Sequence, residues 1–472
     1  MDDSSDFQSR VARVRRALLI AMPLLALAPK FWIATHALYG TDLSVFDTGF
    51  GFGNYIHSLA EEGTFRSCSA LPFVPCNPGT CTFATRMPGM PVLLAALTKL
   101  VGTQSASVAL AKSTVLALLS AGFLAVLSLD VRITTAGLFI LYGLYFGPQS
   151  LKHGAALDYE EGVLIDLSLC LAIAVSYLLK QDLTVSKWRR AAMAFAAVLI
   201  AAIMYFTKTS ALLTLSVVLA IVLTGRVVRV GGKLACVAVV AFLATGWAVH
   251  NLGTSGVLSL SSSWNGENLY RGYDDGSLAI YPQISLDRIF DSKRAVLEDG
   301  RIVQLGAYKG SRCFRDEWTW SSTYSHMAWQ WLIAHPYSAS VFFARKVWVV
   351  LLEVRHTPKY GAAIEKSQEG SAAMRIAMVG WMVAARFAFF LLVGRILLDL
   401  RAGRNRPYAW VFALLLAACA PYMIAFAYQR HVIPVLQLAG ALLAILYFSQ
   451  PAATPRDPTT ESAGPRQRIM LG

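Results

Sequence analysis

The side chains able to work on a polar substrate are few in this chain, and they gather where apolar stretches end. Asp158-Tyr-Glu-Glu161 puts three carboxylates at the opening of an apolar run. Charge there is expensive in a bilayer unless it lines a cavity or faces water; a solvated helix N-terminus is the plainer account. Oxygen ligands of this type suit Mg²⁺ or Mn²⁺, and Asp158 and Glu160 are the candidate ligands, although the run has no diagnostic metal spacing. Lys152, Lys208 and Arg430 are conspicuous cations, each in a short loop otherwise poor in positive charge. Such cations can stabilise a phosphate in a dry site or snorkel to lipid headgroups. Asp42 and Asp47 follow the first apolar segment, where an Asp also serves as a helix cap.

Membrane helices have to hold these groups. The 472-residue chain is 56% hydrophobic and 15% charged, with a mean hydropathy of +0.51, too apolar for a soluble protein of its size. Stretches of the roughly 17–25 residues needed to cross a hydrocarbon core recur along it. Ten are predicted, at 17–36, 105–128, 133–148, 160–179, 190–207, 210–225, 233–250, 374–399, 408–427 and 431–449. The expected fold class is an all-α polytopic membrane protein. Lys and Arg concentrate in alternate short loops, around Arg10 to Arg16, Arg132, Lys180 to Arg190, Arg226 to Lys233 and Arg401 to Arg406, and in the tail at Arg456, Arg466 and Arg468. The positive-inside rule makes those loops and both termini cytoplasmic. It also accounts for most of the net charge of +14, which forms no groove-sized stripe for nucleic acid and faces anionic lipids instead.

This topology leaves two large outer regions. In 37–104, an interfacial helix is expected over 51–62 and a short apolar piece over 88–102 that lies at or dips into the interface. Counting 88–102 as a crossing would put Arg132 outside and invert every later loop. In 251–373, a Trp-, Tyr- and Gly-rich part precedes an amphipathic run from His326 to Glu353 of the kind that lies in an interface. The organisation expected is a cytoplasmic N-terminus 1–16, a first crossing 17–36, the outer loop 37–104, crossings two to seven within 105–250, the outer loop 251–373, crossings eight to ten within 374–449, and a disordered tail 450–472. The first apolar segment reads as a retained anchor. Cys170, Cys236 and Cys419 fall inside spans, whereas Cys68, Cys76, Cys81 and Cys313 lie outside, where disulfides form. A Cys76–Cys81 or Cys68–Cys81 link with the leftover thiol bonded to Cys313 would staple the two outer loops; zinc is the weaker alternative, with no Cys-x-x-Cys pair and no histidine at ligand spacing.

An acidic residue beyond a first helix, a short amphipathic helix ending Glu61-Glu62-Gly63, then Arg86-Met-Pro-Gly-Met-Pro91 leading into an apolar helix resembles the GT-C glycosyltransferase superfamily. Among its bacterial members that use polyprenyl-phosphate-linked sugars, the chain resembles lipid A aminoarabinose and galacturonic acid transferases and protein O-mannosyltransferases. Phe206-Thr-Lys-Thr-Ser210 is similar to the Thr-Lys-Pro-Ser turn between two middle helices of that family, and Lys112-Ser113 to the basic residue opening the helix after the apolar first-loop segment. Trp247 to Gly272, with Asn268-Leu269, is similar to the start of its large loop, and Tyr428-Gln-Arg-His431 before Pro434 to its Arg-Tyr-x-x-Pro turn. The chain departs from the pattern where Thr48-Gly49 follows Asp47 in place of Glu, and where His250-Asn251 replaces Arg-Asn. It has no Asp-x-Asp, which agrees with a lipid monophosphate donor.

The resemblance implies a GT-C fold with about ten transmembrane helices plus interfacial helices in two periplasmic loops. It implies transfer of a sugar, with inversion, from a polyprenyl phosphate to a glycolipid, polysaccharide or protein acceptor at the periplasmic face of a bacterial inner membrane. Asp47 would be the general base, with Asp42 as the backup. Lys208, Arg430, Lys112 and Arg86 would bind the donor phosphate, and Asp158, Glu160, Asn268 and His431 the sugar or acceptor; a divalent cation, Mg²⁺ or Mn²⁺, would be an optional cofactor. Two other classes compete. A transporter or flippase of lipid-linked sugar would need helices broken near the midplane or internal repeats, and an O-antigen polymerase or ligase would rely on loop arginines rather than on an Asp after the first helix.

Overall fold

A computed structural model describes residues 3–40, 42–48, 52–69, 71–180, 185–226, 228–282, 286, 294–296, 302–304, 313–354, 372–403 and 408–451. Among the described residues the regular structure is helical apart from two short antiparallel pairs: β1 (Val131–Ile133) with β4 (Ser449–Pro451), and β2 (Arg294–Val296) with β3 (Ile302–Gln304). Among the described residues seven helical stretches are long and apolar enough to cross a membrane: Arg10–Leu38, Ser105–Asp130, Glu161–Leu179, Lys187–Thr207, Val230–Ser255, Ile376–Arg401 and Arg430–Tyr447. The segments expected over 133–148, 210–225 and 408–427 are shorter apolar helices, Thr135–Tyr145, Thr209–Thr224 and Ala409–Ile424.

Local chemistry sets those limits. Helix α6 (Thr135–Tyr145) stops where Gly147 passes beneath an indole, since an added Cβ would fall 1.8 Å from Trp381 Nε1. Pro148 then opens the short helix α7 (Pro148–Ala155), a first-turn position that suits its fixed φ. The first crossing differs from expectation at both ends. Helix α1 (Asp3–Leu25) runs through the boundary expected at residue 16, and the span continues as α2 (Leu27–Ile33) and a π-turn, Ala34–Leu38.

Helix α8 (Glu161–Leu179) is the centre of the bundle, buried over almost its whole length. It packs against α5 (Ser105–Asp130), α9 (Lys187–Thr207) and α18 (Gln429–Tyr447). At one end of these helices Arg189 pairs with Asp130 at 2.6 Å, Tyr177 donates to Asp130 at 2.8 Å, and Lys180 reaches Ser449 on β4 at 2.8 Å. The candidate site lies at the other end.

Helix α4 (Gly89–Val101) begins and ends at that site end. Its first residue packs on Phe206 and Thr207, where a Cβ on Gly89 would meet backbone at 2.8 Å. The turn after it bonds back to the segment following the first crossing, with Val45 N–H donating to Thr103 O at 2.7 Å and Ser105 N–H to Leu43 O at 2.9 Å. A 13-residue helix is about 20 Å long, and this one lies across the bundle end. The 51–62 segment is α3 (Phe52–His57) running into a π-turn, Ser58–Glu62.

The amphipathic run in the second loop begins earlier than expected. Asp316 caps α14 (Glu317–Ala334), accepting from Trp318 N–H at 3.0 Å and Thr319 N–H at 2.7 Å, and Pro336 breaks the run and starts α15 (Pro336–Leu351). Two disulfides, Cys68–Cys81 and Cys76–Cys313, realise one of the two expected arrangements. The second ties the outer loops together beside reciprocal backbone bonds, Cys76 N–H to Phe314 O at 3.0 Å and Phe314 N–H to Val74 O at 2.8 Å. Residues 355–371 of the second loop, Arg404 and Arg406, and the tail beyond Pro451, with Arg456, Arg466 and Arg468, lie outside the described residues.

Candidate functional site

A cavity of about 610 Å³ opens where α8 and α18 begin, where α9 ends, and between the start of α10 (Leu212–Thr224) and the end of α17 (Ala409–Ile424). Arg86 from the first large loop and the short helix α12 (Asn265–Arg271) from the second close it over. Helix α12 is wedged in tightly: a Cβ on Gly266 would fall 1.9 Å from Ser321 O, and one on Gly272, just beyond the helix, 1.8 Å from Ala425 O.

Lys208 occupies a break in the chain. Its extended backbone, φ −152° and ψ 123°, ends α9 and precedes a 3₁₀ turn, Thr209–Ala211, so its side chain leaves the helix toward the first turn of α8. There it forms an ion pair with Glu161 Oε1 and lies 3.8 Å from Glu160 Oε2. Burial alone would lower the Lys208 pKa, but Glu161, Tyr422 and Glu160 outweigh it and hold the ammonium above its ordinary range. Glu161 is 1% exposed and sits at a helix N-terminus, which favours its negative charge. Its Oε2 lines the cavity region buried and without a hydrogen-bond partner among the described residues.

His431 Nε2 stands 3.4 Å from Glu161 Oε1. Its Nδ1 accepts from the Tyr428 N–H at 3.3 Å in a reciprocal helix cap, so a neutral ring carries its proton on Nε2, toward Glu161. The ring stacks on Tyr422 with centroids 5.1 Å apart. Arg430 lies over Tyr159 at 4.8 Å and Tyr428 at 5.0 Å.

The Arg86 guanidinium is sandwiched between Trp264 at 4.1 Å and Phe52 at 4.6 Å, with Glu160 Oε1 at 3.5 Å from Nη1. Burial lowers its pKa against the opposing charge of Glu160, and an arginine remains charged. Glu317 fixes the strand of chain leading to it. That buried carboxylate accepts from Phe83 N–H at 2.8 Å, Ala84 N–H at 3.0 Å and Ser263 Oγ at 2.8 Å, while Ser263 N–H donates to Ala84 O at 2.8 Å. The two large loops are thus joined beside Arg86 as well as at Cys76–Cys313.

Seven of the expected residues line this one cavity: Arg86, Asp158, Glu160, Lys208, Asn268, Arg430 and His431. Three do not. Lys112 is fully buried in α5 and donates to Ala156 O at 2.5 Å, bracing the turn before Asp158 from below rather than facing a phosphate. Asp42 and Asp47 are exposed; Asp47 ends a 3₁₀ turn, Val45–Asp47, whose backbone packs on Gly53 beside Phe52. The metal reading also fails to assemble: among the described residues no three His, Cys, Asp or Glu side chains converge to hold an ion, and Glu160 and Glu161 are engaged by Lys208 instead. The sequence marks Glu161 as one of three clustered carboxylates without giving it a role, and Arg271, Trp264 and Glu317 are not singled out there. Arg271 was within reach of sequence reasoning, because its partner Glu267 lies four residues earlier on the same helix.

Comparison of the chain with protein-family models, with curated proteins and with solved structures finds no match.

Proposed function

We propose that this chain is an inverting glycosyltransferase of GT-C type that crosses a bacterial inner membrane ten times, with both termini cytoplasmic. It moves a sugar from a polyprenyl phosphate to a glycolipid, polysaccharide or protein acceptor at the periplasmic face. The observation that carries this reading is the convergence of Arg86, Lys208, Arg430 and His431 on one cavity whose edge is apolar and exposed at Leu212, Leu213 and Ile424. Cations at that place suit a phosphate, and apolar groups within two turns of Lys208 suit a hydrocarbon tail that stays in the bilayer. In the same lining Ser261, Ser262, Asn265 and Ser321 are polar groups suited to hydroxyl groups.

In the reaction the acceptor oxygen attacks the anomeric carbon, the C–O bond to phosphate breaks, and the electron pair remains on the phosphate facing the cations. A carboxylate has to take the acceptor's proton. Glu160 and Glu161 are engaged by Arg86 and Lys208, so neither carboxylate is the one assigned to that role. Asp47 is exposed and carries no ion pair among the described residues, so it keeps the role of base in this reading. The experiment is mass spectrometry of envelope glycolipids and glycans in cells lacking the gene. Loss of one sugar with accumulation of its lipid-phosphate donor supports the transferase; unchanged glycans with altered sidedness of a carrier lipid support a transporter instead.

A further inference from the structure

Glu160 and Glu161 are adjacent but held in different ways. Glu161 is 1% exposed, in direct contact with Lys208, and backed by His431. The Glu160 side chain is 15% exposed and reaches two cations from different parts of the chain, Arg86 Nη1 at 3.5 Å and Lys208 Nζ at 3.8 Å. Those separations are beyond the usual 2.7–3.2 Å of a hydrogen bond, so charge attraction rather than directed bonding holds Glu160 in place. We infer that Glu160 is an exchangeable internal ligand, occupying Arg86 and Lys208 while the site is empty and displaced by the phosphate of an incoming ligand. The inference rests on the proposed lipid-phosphate donor for the identity of that ligand.

Two further features support exchange rather than simple addition. The cavity cations Arg86, Lys208, Arg271 and Arg430 face the carboxylates Asp158, Glu160 and Glu161, with Glu267 on Arg271 making four against four. A phosphate anion entering such a balanced site gains little until one carboxylate withdraws. Neither cation needs Glu160 to stay in position: the rings of Phe52 and Trp264 clamp Arg86, and Glu161 retains Lys208. Glu160 itself stands just outside the helix as the residue before Glu161, where a change of rotamer takes its carboxylate off both cations without disturbing α8. The Arg86 Nη1 and Lys208 Nζ released from Glu160 then suit phosphate oxygens.

The test measures binding of inorganic phosphate and of polyprenyl phosphate to the full chain in nanodiscs of zwitterionic lipid. Glu160→Gln removes the competitor and is expected to tighten binding several-fold, up to roughly tenfold. Glu160→Asp keeps the charge but retracts the carboxylate and should tighten it in the same direction, which separates the effect from a folding defect. Lys208→Ala should weaken binding of both probes. Equal or weaker binding by both Glu160 variants would overturn the inference. Tighter inorganic phosphate binding with no polyprenyl phosphate binding by any variant would uphold the exchange and remove the lipid donor. Binding of neither probe, in wild type or in either Glu160 variant, would overturn both.

Discussion

Lys208 and Glu161 form an ion pair that joins the end of one membrane helix to the start of another, and the two members differ in exposure, 18% for the lysine side chain against 1% for the carboxylate. Both line the cavity, the lysine as the more exposed member. The pair therefore both binds and builds: it presents a cation to a ligand and keeps α8 and α9 in register.

Removing one member should cost more than removing both. Lys208→Met strands a buried carboxylate with His431 as its remaining partner, and breaking such a pair costs about 3–5 kcal/mol. Lys208→Met with Glu161→Gln should recover a large part of that loss. Thermal unfolding of the two proteins in the same detergent gives the comparison; equal melting temperatures for single and double variants would count against the pair as a structural unit.

Asp47→Asn should separate chemistry from binding. Loss of a proton acceptor lowers turnover by about 10²–10⁴-fold, while polyprenyl phosphate binding stays at the wild-type level because Asp47 is not among the cavity-lining groups. Wild-type turnover in this variant would move the role to Asp158, which does line the cavity.

The two disulfides should differ in weight. Cys76–Cys313 closes a sequence separation of 237 residues and Cys68–Cys81 one of 13. Chain-entropy restriction grows with loop length, and losing a native disulfide costs about 2–5 kcal/mol. Replacing both Cys76 and Cys313 by Ser should lower the melting temperature more than the same change at Cys68 and Cys81, and should also weaken phosphate binding, since Arg86 depends on the junction of the two loops.

Lys346 gives a pH signature. It is fully buried on α15 and donates to Ile424 O at 2.8 Å, Ala425 O at 3.0 Å and Gly272 O at 3.1 Å, beneath the cavity floor. Burial pushes its ammonium down to about 7 from the ordinary 10.5. Between those values the unfolded chain binds more protons than the folded one, so stability rises with pH across that window. Lys346→Met should remove the rise; melting curves of the two proteins from pH 7 to 10 test it, and parallel curves would contradict it.

Much of this architecture was legible because apolar length and charge placement are local properties. All ten expected segments contain helices, and the scarcity of outer cations singled out Lys208 and Arg430, which do share a cavity. What escaped depends on distant packing. Lys112 and Lys208 look alike as helix-end lysines, and a turn more than forty residues away buries one of them. Glu160 and Glu161 are neighbours whose side chains leave a helix start about 100° apart, so their different roles follow from where α9 and α18 place Lys208 and His431. The close passage of Gly147 beneath the indole of Trp381, far along the chain, likewise has no local signal.

The most direct test of the account is transfer by the purified full chain in liposomes, supplied with lipid extract from cells lacking the gene, in which the sugar donor has accumulated. The account predicts that wild-type protein releases polyprenyl phosphate in step with the appearance of the sugar on an acceptor, and that Lys208→Ala and Asp47→Asn each abolish both signals. Sugar transfer without release of polyprenyl phosphate, or full release by Lys208→Ala, would contradict it.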